Sequence, residues 1–190
     1  MQPIIIDNFL PSYYMDLINE TIKSPTFNWF YHESISGWDN KYTAEGINFL
    51  DNQQGFYHNI LHEDSTSFIF DLIKPMFASI PSAFDIEIES IFRARLGFFI
   101  PNGQSGSHYP HVDYSFDHKV LLVYTEDSDG DTIFYNENNE TTEGELTVAL
   151  RNTPKKNQAV LFDGLTLHSS SIPEKHTTRT AFNINLICKK

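Results

Sequence analysis

The stretch from residue 85 to residue 100 limits this chain most. Ile86, Ile88, Phe92, Ala94, Leu96, Phe98 and Ile100 alternate with Asp85, Glu87, Glu89, Arg93 and Arg95. A period of two belongs to a strand with one buried and one polar face. Shorter strand-like runs follow at residues 111–115, 120–125, 132–135, 146–150, 159–162 and 178–188, with Asp129-Gly130 and Asp163-Gly164 as turn signals between them. Many short strands at this spacing predict an antiparallel sandwich or barrel, so the expected class is mainly β.

Two helices are expected upstream. In residues 12–23, Tyr14, Leu17, Ile18 and Ile22 share one helical face, with Ser12 set to cap. In residues 64–80, Phe68, Ile69, Leu72, Ile73, Met76, Phe77 and Ile80 repeat the pattern. Asp64 reads as the cap of that second helix, and Pro75 should kink or split it. Residues 34–46, around Trp38, read as a surface loop, with a substrate lid as the alternative. The expected organisation is one domain over 1–190, with helix-rich N-terminal support (1–84) buttressing a β core (85–188).

Composition removes several partners. Against 25 Asp plus Glu stand only 13 Lys plus Arg, four of them Arg, for a formal charge of −12. A field of that sign repels phosphate backbones, so neither nucleic acid nor a membrane surface is an expected partner. The lone Cys188 excludes an internal disulfide and any cysteine-rich metal site. Residues 1–10 show no basic and apolar leader pattern, so the expectation is a soluble protein of the cytoplasm, or of the host cytoplasm for a viral source.

Any metal must therefore sit on His and carboxylate. His111-Val112-Asp113 sets an imidazole and a carboxylate two residues apart, on one face if the segment is a strand. A second pair, His62-Glu63-Asp64, shows how weak that signal is by itself; with Asp64 read as a cap it is a decoy. His108, five residues from Asp113, would face the other way on a strand. What strengthens His111 and Asp113 is a third ligand candidate, His168, and Arg179 eleven residues beyond it. Along 179–186, Arg179, Ala181, Asn183 and Asn185 share one strand face while Thr180, Phe182, Ile184 and Leu186 share the other. An arginine in line with two asparagines suits a face lining a polar cavity.

This set, His111-x-Asp113, His168 and Arg179, resembles the two-His-one-carboxylate triad and co-substrate anchor of the Fe(II)/2-oxoglutarate-dependent oxygenases. The finer texture resembles their prolyl 4-hydroxylase-like branch, including short phage and bacterial members. That branch carries a YYLN run and then GGxTxF, where this chain has Leu121-Leu122-Val123-Tyr124-Thr125-Glu126 and Asp129-Gly130-Asp131-Thr132-Ile133-Phe134. The likeness spans roughly residues 85 to 188. It departs at Val123 and Glu126, and the family's tyrosine about nine residues before the first ligand falls here in the 101–110 loop.

The resemblance implies a double-stranded β-helix (jelly-roll) catalytic core. It further implies Fe(II) on His111, Asp113 and His168, with 2-oxoglutarate held by Arg179, Tyr124 and Asn183, O2 as the other co-substrate and ascorbate as a candidate accessory reductant. The implied activity is hydroxylation of a C–H bond, first of a prolyl residue in a peptide or protein, then of a free amino acid or other small molecule. The residue types suit that chemistry: three protein ligands leave sites for a bidentate 2-oxo acid and O2, and Arg offers a fixed fork to the distal carboxylate.

Arg93 and Arg95 are read as partners of Glu87 or Glu89, outside the site, with contact to an acidic substrate as the alternative, and the histidines at 32, 58, 62, 118 and 176 as non-ligands. The competing reading from another class is a non-redox cupin-type metal-binding barrel, an isomerase or ligand-binding module; the missing H-x-H pair counts against it. A nucleobase-repair oxygenase would want a basic groove. Eight of the 25 carboxylates fall within residues 126–145, which contain no Lys or Arg. They read as a solvated face, or else as a flank of the site's mouth favouring cationic or neutral substrates.

Overall fold

The computed structural model describes residues 2–37 and 40–189. Trp38 lies outside the described residues, and with it the lid expectation at that position. In chain order the elements are β1 (Ile4–Ile6), α1 (Ser12–Ile22), β2 (Phe30–His32), β3 (Tyr42–Ala44), β4 (Gly55–His62), β5 (Ser65–Thr66), α2 (Phe70–Phe84), β6 (Ile88–Phe99), β7 (Lys119–Tyr124), β8 (Thr132–Asn138), β9 (Gly144–Leu146), β10 (Val148–Asn152), β11 (Ala159–Asp163), β12 (Thr166–Ser170) and β13 (Arg179–Cys188). The architecture is mainly β, as expected. No helix among the described residues is long and apolar enough to cross a membrane.

A major antiparallel sheet runs β1-β11-β7-β13-β6-β4-β2, with β5 on β4, and faces a minor antiparallel sheet β10-β8-β12. These two layers form the jelly roll. Between them packs a core of Val120, Leu122, Tyr124, Phe134, Val160, Phe162 and Ala181. The opposite face of the major sheet is covered by the helices: Met15, Ile18 and Ile22 of α1 and Ile73, Met76 and Ile80 of α2 lie against Leu96, Leu121, Leu161, Phe182 and Ile184. The helices therefore buttress the sheet from outside and leave the inner face to the site.

Several local expectations are corrected. Asp64 does not cap α2; it lies in the turn between β4 and β5, next to Glu63 at φ 53°, and α2 starts at Phe70 with the capping position held by Ile69. The helix also runs continuously through Pro75 and Pro81. Ser12 begins α1, but Pro11 occupies the N-cap and no side chain caps it. Residues 1–84 contribute strands as well as helices, since β1, β2 and β4 extend the major sheet on both flanks. The long strand β6 is not one unbroken alternation: its register with β13 shifts between Ile91 and Arg93. That bulge rotates Phe92 into a cluster with Tyr114, Phe116 and His118.

Candidate metal centre

The inner face of the major sheet follows from register. Asn183 of β13 pairs with Arg95 of β6 and with Leu122 of β7, and Ala181 pairs with Gly97 and Tyr124. Directly opposed residues share a face. Arg93, Arg95 and Gly97 therefore project with Ala181, Asn183 and Asn185 toward the minor sheet. The polar members of this face converge on Asp113.

The segment 111–115 is a loop rather than the expected strand. His111 instead forms an isolated antiparallel bridge to His168 of β12, each residue donating its backbone N–H to the other's carbonyl at 3.0 Å. This bridge brings the two imidazoles together, with ring centroids 4.7 Å apart. His111, Asp113 and His168 then offer three ligand atoms that all lie within 4.8 Å of one another. His168 lies on β12, whose Thr-Leu-His-Ser-Ser sequence carries no run of apolar alternation to mark it as a strand.

The donor set fits a divalent metal. Nδ1 of His111 lies 3.0 Å from the Tyr109 carbonyl, and Nδ1 of His168 lies 3.1 Å from the Thr166 carbonyl. A carbonyl can only accept, so both Nδ1 atoms carry the proton and each Nε2 keeps a lone pair for a cation. Burial, together with the neighbouring His168, pushes His111 down to about 4. Burial also lowers His168, against the pull of Asp113. Both rings are therefore neutral at neutral pH, the form a metal binds.

Asp113 is held from four sides. Its Oδ2 accepts from Asn183 Nδ2 at 3.0 Å and from Asn185 Nδ2 at 2.8 Å. Its Oδ1 is 3.1 Å from Arg93 and 3.9 Å from Arg95. Burial opposes ionisation here, but Arg93 first, then His168 and Arg95, more than offset it and hold the carboxyl well below the usual range. Arg93 and Arg95 thus belong beside Asp113, which corrects their assignment to Glu87 or Glu89; Glu87 pairs with Lys189. An arginine on an alternating strand looks the same in sequence whichever partner it turns to.

One cavity is lined by His111, His168, Arg95 and Arg179, the last of these 3% exposed. Arg179 Nε donates to the Gly130 carbonyl at 2.8 Å and one terminal nitrogen to Thr132 Oγ1 at 2.7 Å. The Tyr124 hydroxyl shares Thr132 Oγ1 at 2.7 Å. Gly130 is required there, because a Cβ would come within 2.8 Å of Arg179 Cδ and 2.6 Å of the Ser171 carbonyl. Asn183 lines the same cavity, but its amide is occupied: Nδ2 donates to Asp113 and Oδ1 accepts from Arg93.

His108 was expected to face away and instead lines the cavity, its ring centroid 4.9 Å from that of Phe99. Neither of its buried ring nitrogens has a hydrogen-bond partner among the described residues. Burial, reinforced by Arg179, pushes it down to about 3. His32, His58, His62, His118 and His176 do not join the triad group among the described residues. The acidic segment does not line this cavity either. Asp129 accepts from the backbone N–H groups of Glu174, Lys175 and His176, Glu126 from the hydroxyls of Thr178 and Thr180, and Glu137 from Thr147. These carboxylates fasten loops.

Neither a family model nor a curated protein matches this sequence. Solved structures do match over nearly its whole length. A 2OG-Fe(II) oxygenase family oxidoreductase from Burkholderia pseudomallei aligns with a TM-score of 0.67 at 8% identity, covering 97% of this chain and 84% of that one. The viral collagen prolyl hydroxylase of Paramecium bursaria Chlorella virus-1 aligns at 0.56 and 16%, covering 98% and 96%. A non-heme alpha ketoglutarate dependent epimerase from nogalamycin biosynthesis aligns at 0.68 and 11%, covering 97% and 78%. At these identities the likeness establishes the fold, which is the fold of proteins that include both a prolyl hydroxylase and a small-molecule epimerase.

Proposed function

We propose that this chain, folded as the 2-oxoglutarate–Fe(II) oxygenases are, is an Fe(II)- and 2-oxoglutarate-dependent dioxygenase that hydroxylates a C–H bond. The observation that carries the reading is the convergence of His111, Asp113 and His168, the two histidines lining one cavity together with the buried Arg179.

In this reading His111, Asp113 and His168 hold the iron, which when bound couples oxidation of 2-oxoglutarate to succinate and CO2 with oxygenation of a C–H bond. Arg179 binds the distal carboxylate of 2-oxoglutarate. Its Nε and one terminal nitrogen are already anchored on Gly130 and Thr132, so the guanidinium is fixed before the ligand arrives. Tyr124 reaches that end through Thr132, as the brace of the anchor. The backbone carbonyls of Tyr109 and Thr166 hold the ring protons of the two imidazoles away from the cation. Asn183, Asn185 and Arg93 fix the orientation of the Asp113 carboxylate. Leu122, Phe99 and Ala181 line the cavity with apolar surface that keeps water from the reacting centre.

A prolyl residue in a peptide is the substrate class suggested by the neighbouring hydroxylases. A free amino acid or other small molecule is the second, and the arginines on the inner face favour an acidic one. The test is anaerobic addition of Fe(II) and then 2-oxoglutarate. A weak visible charge-transfer band should appear in the native protein and be absent in His111→Ala and Asp113→Ala. No band and no 2-oxoglutarate binding by the native protein would sink the assignment.

A further inference from the structure

We infer that Arg95 is a specificity-determining residue that binds a carboxylate of the substrate, so that the substrate is a small carboxylic acid, such as a free amino acid, rather than an internal residue of a peptide. This rests on the oxygenase reading of the site and adds the substrate class to it.

The first argument is the use of arginine. The chain has four arginines, and three of them sit on the inner face: Arg95 and Arg179 line one cavity, and Arg93 lies beside it on Asp113. Among the described residues, Asp113 is the one carboxylate ion-paired with any of the three. Asp131 also acts on Arg179 through its charge, without an ion pair, and is hydrogen-bonded to Thr153. Three arginines against Asp113 and Asp131 leave the site with an excess of one positive charge. A divalent iron and a 2-oxoglutarate dianion cancel each other, so loading the site leaves that excess in place. Buried charge without a counter-charge is costly, and an anionic substrate relieves it. A neutral prolyl peptide would not.

The second argument separates Arg95 from its two companions. Arg179 is anchored on Gly130 and Thr132, and Arg93 reaches Asp113 at 3.1 Å and Asn183 at 3.2 Å. Arg93 and Arg95 both have a buried Nε without a hydrogen-bond partner among the described residues, but Arg95 also stands 3.9 Å from Asp113, beyond hydrogen-bond length, whereas Arg93 is in contact. The Arg95 guanidinium carbon sits over the Tyr57 ring, 4.0 Å from the centroid, a contact that holds the group without using its donors. Asp113 is already satisfied by Asn183, Asn185 and Arg93, so it does not need Arg95. A held guanidinium that lines the cavity beside the metal ligands is a carboxylate receptor.

The test uses the protein loaded with Mn(II), a redox-silent stand-in for Fe(II), and 2-oxoglutarate. The probes are free L-amino acids, their amides, and short peptides blocked at both ends that carry an internal Asp or Glu. Binding is read by paramagnetic broadening of probe NMR signals. The expected result is saturable broadening of at least one free amino acid, at least tenfold weaker for its amide and for the blocked peptides. Arg95→Gln should lose that preference, and Arg95→Lys should recover part of it. Equal affinity for acid and amide, or no acid bound at all, overturns the inference on the native protein without any variant. Preferential binding of the blocked acidic peptides overturns the small-molecule assignment.

If Arg95 instead serves 2-oxoglutarate, Arg95→Gln weakens 2-oxoglutarate binding and no second carboxylate is taken up in its presence, which also overturns the inference. Mn(II) and 2-oxoglutarate binding are measured first. Their failure defeats the oxygenase reading separately, and the same probes are then read by saturation transfer on the metal-free protein. There, Arg95-dependent acid binding still supports carboxylate recognition and its absence still overturns it.

Discussion

The two faces of the major sheet are built from the same strands and obey opposite rules. Toward the helices, β13 presents Phe182, Ile184 and Leu186, all fully buried in an apolar cluster. Toward the minor sheet the same strand presents Arg179, Asn183 and Asn185, whose side chains hold other polar groups. Neighbouring residues thus belong to different economies of interaction: one face gains by removing carbon from water, the other by arranging donors around an anion. A strand lets a protein place a rigid hydrophobic support directly behind a site, one peptide unit away.

The comparison can be broken by substitution. Phe182→Ala should have the largest effect on stability, about 3–5 kcal/mol in urea unfolding, because it empties a fully buried ring position. Under conditions where that variant stays folded, the Fe(II)–2-oxoglutarate band should persist; its loss would show that the faces are not separable. Arg179→Met should have the reverse profile. It removes a charged fork from the inner face and should weaken 2-oxoglutarate about a hundredfold in equilibrium titration, on the order of 2.7 kcal/mol.

Acid should strain the inner face and spare the outer one. His108 and His111 are neutral in the folded state, with values pushed down to about 3 and about 4, whereas in the unfolded chain each titrates near 6.5. Above pH 6.5 neither state is protonated and these groups contribute nothing. As the pH falls below 6.5 the unfolded chain takes up the protons first. The metal-free protein should then lose about 1.4 kcal/mol per pH unit for each histidine, levelling off once the pH is below the folded values. His108→Phe should remove one histidine's share of that slope in unfolding curves recorded between pH 7 and 5. The smallest effect belongs outside both faces: Ser12→Ala should change stability by less than about 0.5 kcal/mol, because Ser12 makes no capping bond.

The two faces also differed in how far they could be read from sequence. The alternation in residues 179–186 identifies both faces of β13, because a period of two is a geometric property of the strand itself. The partners of the polar face are not readable that way. Arg93 and Arg95 turn to Asp113 because the register of β6 on β13 points them there, and register is a tertiary fact. The bulge that turns Phe92 inward interrupts a pattern that looked continuous. The start of α2 was misplaced by a plausible cap at Asp64, when the helix begins at Phe70 with no side chain capping it. His111 was expected on a strand and lies in a loop, yet the pair it forms with Asp113 survives, because a bridge to β12 replaces the strand. The charge of −12 pointed to an anion-repelling surface, whereas the cavity concentrates the scarce arginines.

The bridge between His111 and His168 has a thermodynamic corollary. A loop residue and a strand residue 57 positions apart in the chain are stitched by reciprocal backbone bonds, so the cost of bringing the imidazoles together is met when the chain folds, not when the cation binds. Metal uptake then becomes a small, local event: calorimetry should record it with little change in heat capacity, and the far-ultraviolet circular dichroism of the metal-free protein should superimpose on that of the loaded one. The apo protein would wait as a finished receptacle, able to exchange its metal without unfolding any part of itself.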